Sequence, residues 1–112
     1  GRADAVLLPE GAMFSRNRRR IFELATSKRL PTAAGGRQFA EDGSLLAYGA
    51  NIRDTCRRSA VFVDKILKGA KPGDLPVERP AKFEFIINLK TAKQIGLTIP
   101  PNVLARADKV IK

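Results

Sequence analysis

Three short apolar segments in the first fifty residues constrain the fold more than any other feature of the chain. They are ADAVLL at residues 3–8, LPTAA at residues 30–34 and LLAYG at residues 45–49. Each segment ends at or beside Gly or Pro, which is typical of buried strands that run into loops. The stretch between the first two segments has the apolar spacing of an amphipathic helix. This strand–helix–strand order predicts an α/β fold with a parallel sheet.

The first helix carries the densest positive charge of the chain, SRNRRR at residues 15–20. Ser15 is expected to cap this helix. The side chains expected on its inward face are those of Ile21, Leu24 and Ala25, with Phe22 beside them. Its first turn would then hold several arginines, which have the wrong sign for the positive end of the helix dipole. Two interpretations stay open: an exposed cluster that solvent screens, or an anion or acidic partner close by.

A second helix is predicted after Asn51, which can cap it. Its apolar stripe recurs every three or four residues and consists of Ile52, Cys56, Ala60, Val63 and Leu67. Gly69 and Pro72 are expected to end it. Because Cys56 belongs to the apolar stripe, we expect it to be a buried structural thiol.

The last forty residues begin with a segment, Leu75–Ala81, that Pro76 and Pro80 should keep extended. An alternating strand follows, with Phe83, Phe85, Ile87 and Leu89 on its apolar face and Lys82, Glu84, Ile86 and Asn88 on the other. Asn88 or Thr91 should start a short helix that Gly96 ends. Asn102 should cap a last helix that continues through Ile111.

The composition argues against catalysis. The 112 residues include no histidine and one cysteine, and no metal-ligand spacing is visible, so we expect no enzyme, no metal and no cofactor. No apolar run approaches the roughly 20 residues that a membrane-spanning helix needs. The net charge of +10 leaves one alternative function open, a basic nucleic-acid-binding module that uses the Arg16–Arg20 cluster. The lack of Trp and the 6% aromatic content argue against that alternative.

A ligand site is expected at the carboxyl ends of the strands, where open α/β sheets bind their ligands. The candidate residues are Pro9, Glu10, Gly35, Gly36, Arg37, Tyr48 and Gly49. The glycines would allow close backbone approach, Arg37 could pair with a carboxylate, and Tyr48 offers a ring and a hydroxyl. The alternative is that the glycines are turn residues and Tyr48 a packing residue. GGR lacks the spacing of a nucleotide-binding loop.

The segment LAYG at residues 46–49, and the run from Arg57 to Ile111 that contains DKILKGAKPGDLPVE and INLKTAKQIGLTIP, closely resemble one bacterial family. It comprises the ABC-transporter substrate-binding proteins that include tryptophan- and tyrosine-binding members. The resemblance implies a Rossmann-like lobe of the periplasmic-binding-protein type I fold. In such proteins a small organic or amino-acid-like ligand lies between two lobes and is delivered to a membrane permease. It also implies a location in the periplasm or tethered to the outer face of the membrane.

The resemblance also implies a division of the chain. Residues 1–49 would form part of the second lobe, residues 50–72 a helix that packs on the first lobe, and residues 73–112 a return crossing strand with C-terminal helices. The chain is therefore expected to be an incomplete, C-terminal part of the fold, whose partner is a missing N-terminal lobe. Without that lobe we expect weak ligand binding or none, and exposed edges and apolar faces that favour dimerisation or strand exchange.

Overall fold

A five-stranded sheet organises residues 2–112, which are the residues that the computed structural model describes. In chain order the elements are β1 (Val6–Leu8), α1 (Ala12–Ser27), β2 (Thr32–Ala34), α2 (Arg37–Glu41), β3 (Leu46–Ala50), α3 (Ile52–Leu67), a 3₁₀ turn (Pro72–Asp74), β4 (Phe83–Asn88), α4 (Leu89–Ile95), α5 (Pro101–Leu104) and β5 (Lys109–Ile111). The strands lie in the order β1-β2-β3-β4-β5. All neighbours are parallel except β3 and β4, which are antiparallel. The prediction of an α/β fold with a parallel sheet is therefore confirmed for three of the four pairs of neighbouring strands, whereas the antiparallel pairing of β3 with β4 was not predicted.

The core lies where α1, α2 and α4 cover the sheet. Phe22 of α1 and Phe39 of α2 meet edge to face, with ring centroids 6.2 Å apart, over Leu8 and Ala34. The expectation for Leu24 was wrong, since its side chain is 54% exposed. Leu24 follows the buried Phe22 by two residues, which places it about 200° around the helix.

The start of α1 differs from the prediction, and the difference resolves the charge question. The helix begins at Ala12 with Gly11 as its cap, so Ser15 lies within the first turn instead of capping it. The arginine cluster is therefore further from the positive end of the helix. Arg18 Nε and Arg19 Nε donate to the two oxygens of Asp42 at 2.5 and 2.8 Å. Asp42 is therefore the acidic partner of Arg18 and Arg19, whereas Arg16 and Arg20 are exposed, as the other interpretation expects.

The structure differs most from the sequence-based prediction in the C-terminal part of the chain. The predicted last helix ends at Leu104, and Lys109–Ile111 forms β5, which pairs in parallel with Ile86–Asn88. β4 is thus an internal strand, and Ile86 and Asn88 are buried although the alternating pattern placed them on the polar face. Asn88 donates to the Ala40 carbonyl at 2.8 Å and caps α4, so of the two predicted starts, Asn88 and Thr91, the first is the observed one. Gly96 ends α4 in the left-handed conformation, also as predicted.

Helix α3 has the predicted start, because Asn51 Oδ1 accepts the Asp54 N–H at 3.0 Å. None of its sixteen residues is buried, however, and Leu67 is 81% exposed. Cys56 is exposed as well, so its predicted burial was wrong in this structure. The physical reason is that no described element covers the apolar stripe.

The shape of the molecule reflects the position of α3. The radius of gyration is 17.7 Å, whereas a compact domain of this length has about 13 Å. Among residues 2–112, no helix combines the length and hydropathy needed to cross a bilayer.

Candidate ligand cleft

A cleft of about 570 Å³ opens at the carboxyl ends of β1, β2 and β3. Its walls come from the segments that follow these three strands, together with Glu84 of β4. The carboxyl ends of parallel strands meet at one edge of a sheet, which explains why separate loops converge here. The volume is in the range of sites for small organic molecules.

The start of α1 contributes backbone donors to the cleft. Gly11 and Ala12 line it, and no side chain caps this helix. The first N–H groups of a helix have no partner within the helix and lie at its positive end. A carboxylate or another anionic group would be stabilised at this position.

Two glycines set how closely the loops of the cleft approach one another. A Cβ atom on Gly35 would lie 2.6 Å from Glu10 Oε1, so the Glu10 carboxylate packs directly on that backbone. A Cβ atom on Gly49 would lie 2.7 Å from the Gly36 nitrogen. The loop after β2 therefore passes over β3 because residue 49 has no side chain. Gly36, with a φ of 78°, occupies the left-handed region and precedes α2.

An ion pair crosses the floor of the cleft. Arg37 Nη2 donates to Glu84 Oε1 at 2.6 Å, and Arg37 Nε donates to Glu84 Oε2 at 3.3 Å. The hydrogen bond to Glu84 raises the pKa of Arg37 above its ordinary value. Asn51 Nδ2 also donates to Glu84 Oε1, at 2.9 Å. Arg37 thus pairs with a carboxylate, as its chemistry suggested, but the carboxylate belongs to the protein.

The structure brings four of the seven predicted site residues to the cleft wall: Glu10, Gly35, Gly36 and Arg37. Gly49 lies beneath the loop that carries two of them. Pro9 is exposed and does not line the cleft. Tyr48 is 63% exposed and also outside it, where its ring stacks on Phe83 with centroids 5.7 Å apart.

Sequence reasoning did not identify Asn51, Arg53 or Glu84 as site residues, although all three line the cleft. The sequence pattern could have identified Asn51, because a helix cap that directly follows a strand lies at the carboxyl edge of the sheet, together with the loops after β1 and β2. Glu84 had none. Its position depends on the antiparallel register that places it opposite Gly49.

The arginine cluster of α1 offers less free charge than its sequence suggests. Arg18 and Arg19 share the carboxylate of Asp42, while Arg16 and Arg20 are exposed. A protein binds nucleic-acid phosphates through Lys and Arg side chains that are not already paired with carboxylates. The pairing of Arg18 and Arg19 with Asp42 therefore weakens the interpretation of this cluster as a nucleic-acid-binding surface.

Comparison with known proteins gives consistent results. A family model described as ABC transporter substrate binding protein matches residues 1–111. A conserved domain protein from Vibrio cholerae is 26% identical, with a TM-score of 0.90 over 96% of this chain. A Streptococcus pneumoniae ABC domain in complex with L-Trp is 28% identical, with a TM-score of 0.88 over 98% of this chain.

A third solved structure, the substrate binding protein CD0873 from Clostridium difficile in its ligand-free, open form, is similar in fold, with 23% identity and a TM-score of 0.68 over 96% of this chain. The chain spans 36% of the Vibrio and Clostridium chains and 37% of the Streptococcus chain. No curated protein sequence matches it.

Proposed function

Because the chain belongs to the family of ABC transporter substrate-binding proteins, we propose that it forms one wall of a ligand cleft in such a protein. The complete protein would bind a small organic or amino-acid-like ligand between two lobes and deliver it to a membrane permease. Its location would be the periplasm or the outer face of the membrane. The family binds substrates and is not enzymatic, in agreement with the chemistry expected from the composition.

The observation that carries this proposal is the combination of opposite charges in one cleft at the carboxyl ends of the strands. The uncapped start of α1 would bind the ligand carboxylate through backbone N–H groups. The Glu10 carboxylate, which packs on Gly35, would accept hydrogen bonds from the ligand ammonium group. Gly36 and Arg37 would line the same wall. The L-Trp bound by the Streptococcus homologue supports an amino acid as the ligand class.

The division of the chain between lobes is part of the same proposal. Residues 1–49 would belong to the second lobe, residues 50–72 would pack on the first lobe, and residues 73–112 would return to the second. The exposed apolar stripe of α3 supports this division, since a helix with such a stripe is expected to pack against another element. The extended segment between the 3₁₀ turn and β4 supports a crossing between lobes.

Ligand binding is best tested on the protein that contains both lobes. We expect L-tryptophan, or another amino acid in a panel that also includes small carboxylates, to raise its thermal unfolding temperature. The Glu10→Gln variant should bind that amino acid about tenfold or more weakly, because it loses a charged hydrogen bond. Binding of a deaminated analogue, such as indole-3-propionate for L-tryptophan, should change little.

Glu23→Gln is the matched control, because Glu23 is exposed on α1 and does not line the cleft. Failure of every amino acid and carboxylate to shift the unfolding temperature would contradict the proposal. The 112-residue chain by itself should bind weakly or not at all in calorimetry. Tight stoichiometric binding to this chain alone would show that the first lobe is not required.

A further inference from the structure

Glu84 occupies a position where three elements of the cleft meet. It lies opposite Gly49 in the antiparallel register of β3 and β4, so the two residues face the same side of the sheet. Because Gly49 has no side chain, the loop before α2 passes directly over β3. Arg37, the first residue of α2, can therefore reach across β3 to the carboxylate on β4.

The same carboxylate also holds the start of α3. Asn51 donates its Nδ2 to Glu84 Oε1, while its Oδ1 accepts the Asp54 N–H inside the helix. One amide side chain thus caps α3 and connects it to Glu84. The Glu84 side chain is 16% exposed, so these hydrogen bonds are only partly in contact with water.

Other side-chain ion pairs of α3 are made with the segment before β4. Asp54 lies 3.4 Å from Lys82 Nζ, and Arg58 pairs with Glu78. Both partners belong to the segment that precedes β4, which runs beside the helix. Within residues 2–112, Glu84 is the residue whose side chain hydrogen-bonds to both α2 and the start of α3. No residue of α3 is buried, although Phe62 is partly covered where the helix faces the segment before β4.

We propose that Glu84 is a positioning residue that fixes the direction of α3 relative to the sheet, and with it the separation of the two cleft walls that begin at Arg37 and Asn51. The physical basis is that a helix without buried side chains has few other restraints at its attachment point. In this structure they are the hydrogen bond from the Asn51 N–H to the Lys82 carbonyl at 2.9 Å and the Asp54–Lys82 ion pair. This inference concerns the unliganded chain, so it does not depend on the identity or the existence of the proposed ligand.

The single native cysteine makes the direction of α3 measurable. Cys56 is exposed on α3, and a second cysteine can be introduced on α1 as Glu23→Cys, at another exposed position. Spin labels on these two sites report the distance between α3 and the sheet-packed helix. In the 112-residue chain without ligand, we expect Glu84→Gln to broaden the distance distribution at least twofold.

Glu41→Gln is the matched control, since Glu41 also lines the cleft but pairs with Lys109 at 3.4 Å. It should leave the distribution unchanged. A second variant, Asn51→Ser, retains a good helix cap but lacks the amide Nδ2 group that donates to Glu84. It should broaden the distribution as Glu84→Gln does.

Circular dichroism identifies any variant that fails to fold. If Glu84→Gln or Asn51→Ser fails to fold, the distance distribution of the other variant tests the proposal. If the folded Glu84→Gln or Asn51→Ser chain keeps the parent distribution, the proposal is wrong. Equal broadening in Glu41→Gln would also overturn it, since loss of any cleft carboxylate would then have the same effect. A negative ligand-binding result leaves this measurement unaffected, so the two proposals fail independently.

Discussion

Asp42 is held by two arginines of α1, and this contact determines how the residue ionises. The hydrogen bonds from Arg18 and then Arg19 outweigh burial, and together they hold the pKa of Asp42 below its ordinary value of 3.8. The charged form is thus favoured in the folded protein. A lowered folded-state pKa stabilises the fold above the unfolded-state pKa, and this contribution disappears as the pH falls through the folded-state value.

Asp42→Asn should therefore lower the free energy of unfolding by about 1–2 kcal/mol at neutral pH, because charged hydrogen bonds to two arginines are lost. The difference from the parent should shrink as the pH falls below 3.8, because the unfolded chain then binds a proton at Asp42 before the folded chain does, and it should be gone once the pH is below the lowered folded-state pKa. Urea unfolding over a pH series measures both effects. Glu23→Gln, which changes an exposed carboxylate on α1, should show neither. A difference that does not depend on pH would argue against the ion pair as its cause.

Gly49→Ala tests the close contact between β3 and the loop before α2. The added methyl group would lie 2.7 Å from the Gly36 nitrogen and 3.2 Å from its Cα, and these are backbone atoms that cannot rotate away. We expect a destabilisation of about 1–3 kcal/mol, measured by thermal or urea unfolding. Gly73→Ala is the control, because no atom lies within 4 Å of its added methyl group. Equal stability of the two variants would mean that the loop moves at little cost.

Helices α3 and α4 form for different reasons, although both start at an asparagine cap. α3 has sixteen residues with a correct cap and none buried, whereas α4 has seven residues of which Thr91, Ala92 and Ile95 are buried. Isolated helices of this length are marginal in water, so most helix stability comes from packing. The shorter helix should therefore be the more stable one.

Amide hydrogen exchange can test this order. Amides of α3 should exchange at least about 100-fold faster than those of α4 and of the internal strand β4, because opening α3 breaks few tertiary contacts. The measurement requires only the 112-residue chain under native conditions. Comparable protection in α3 and α4 would indicate that the apolar stripe of α3 is covered in solution, by self-association or otherwise.

The molecule as a whole has an open edge and an incompletely covered sheet. β1 is the terminal strand on one side, and Leu7 at its centre is 78% exposed. Unpaired strand edges with apolar side chains favour pairing with another chain. The elongated shape, with a radius of gyration of 17.7 Å, leaves this edge and the stripe of α3 accessible together.

We expect the 112-residue chain to self-associate at high concentration, with an apparent mass that rises towards the dimer in light scattering. Leu7→Lys should shift this association to higher concentration by placing a charge on the strand edge. Val77→Lys is the control, because Val77 is 99% exposed on the extended segment and away from the sheet edge. A monomer at all concentrations, or equal effects of both variants, would contradict a role for the β1 edge.

Local signals in the sequence predicted many of the individual elements. The caps at Asn51 and Asn88 and the left-handed Gly96 were read correctly, because each depends on hydrogen bonds within a few residues of its own position. Short apolar segments located β1, β2 and β3 for the same reason. The α/β class with a parallel sheet and the resemblance to substrate-binding proteins also came from the sequence, but the antiparallel pairing of β3 with β4 did not. The family match over residues 1–111 confirms the resemblance.

Only the tertiary structure decided which distant segments meet. Val110 and Ile111 fit a helix stripe as well as a strand, and pairing with β4 made them β5. The antiparallel register of β3 and β4 placed Glu84 beside Arg37 and Asn51, residues separated from it by 47 and 33 positions. Because no element within residues 2–112 covers it, the stripe of α3 is exposed. Such outcomes depend on contacts between segments far apart in the chain, and local propensity does not specify those contacts.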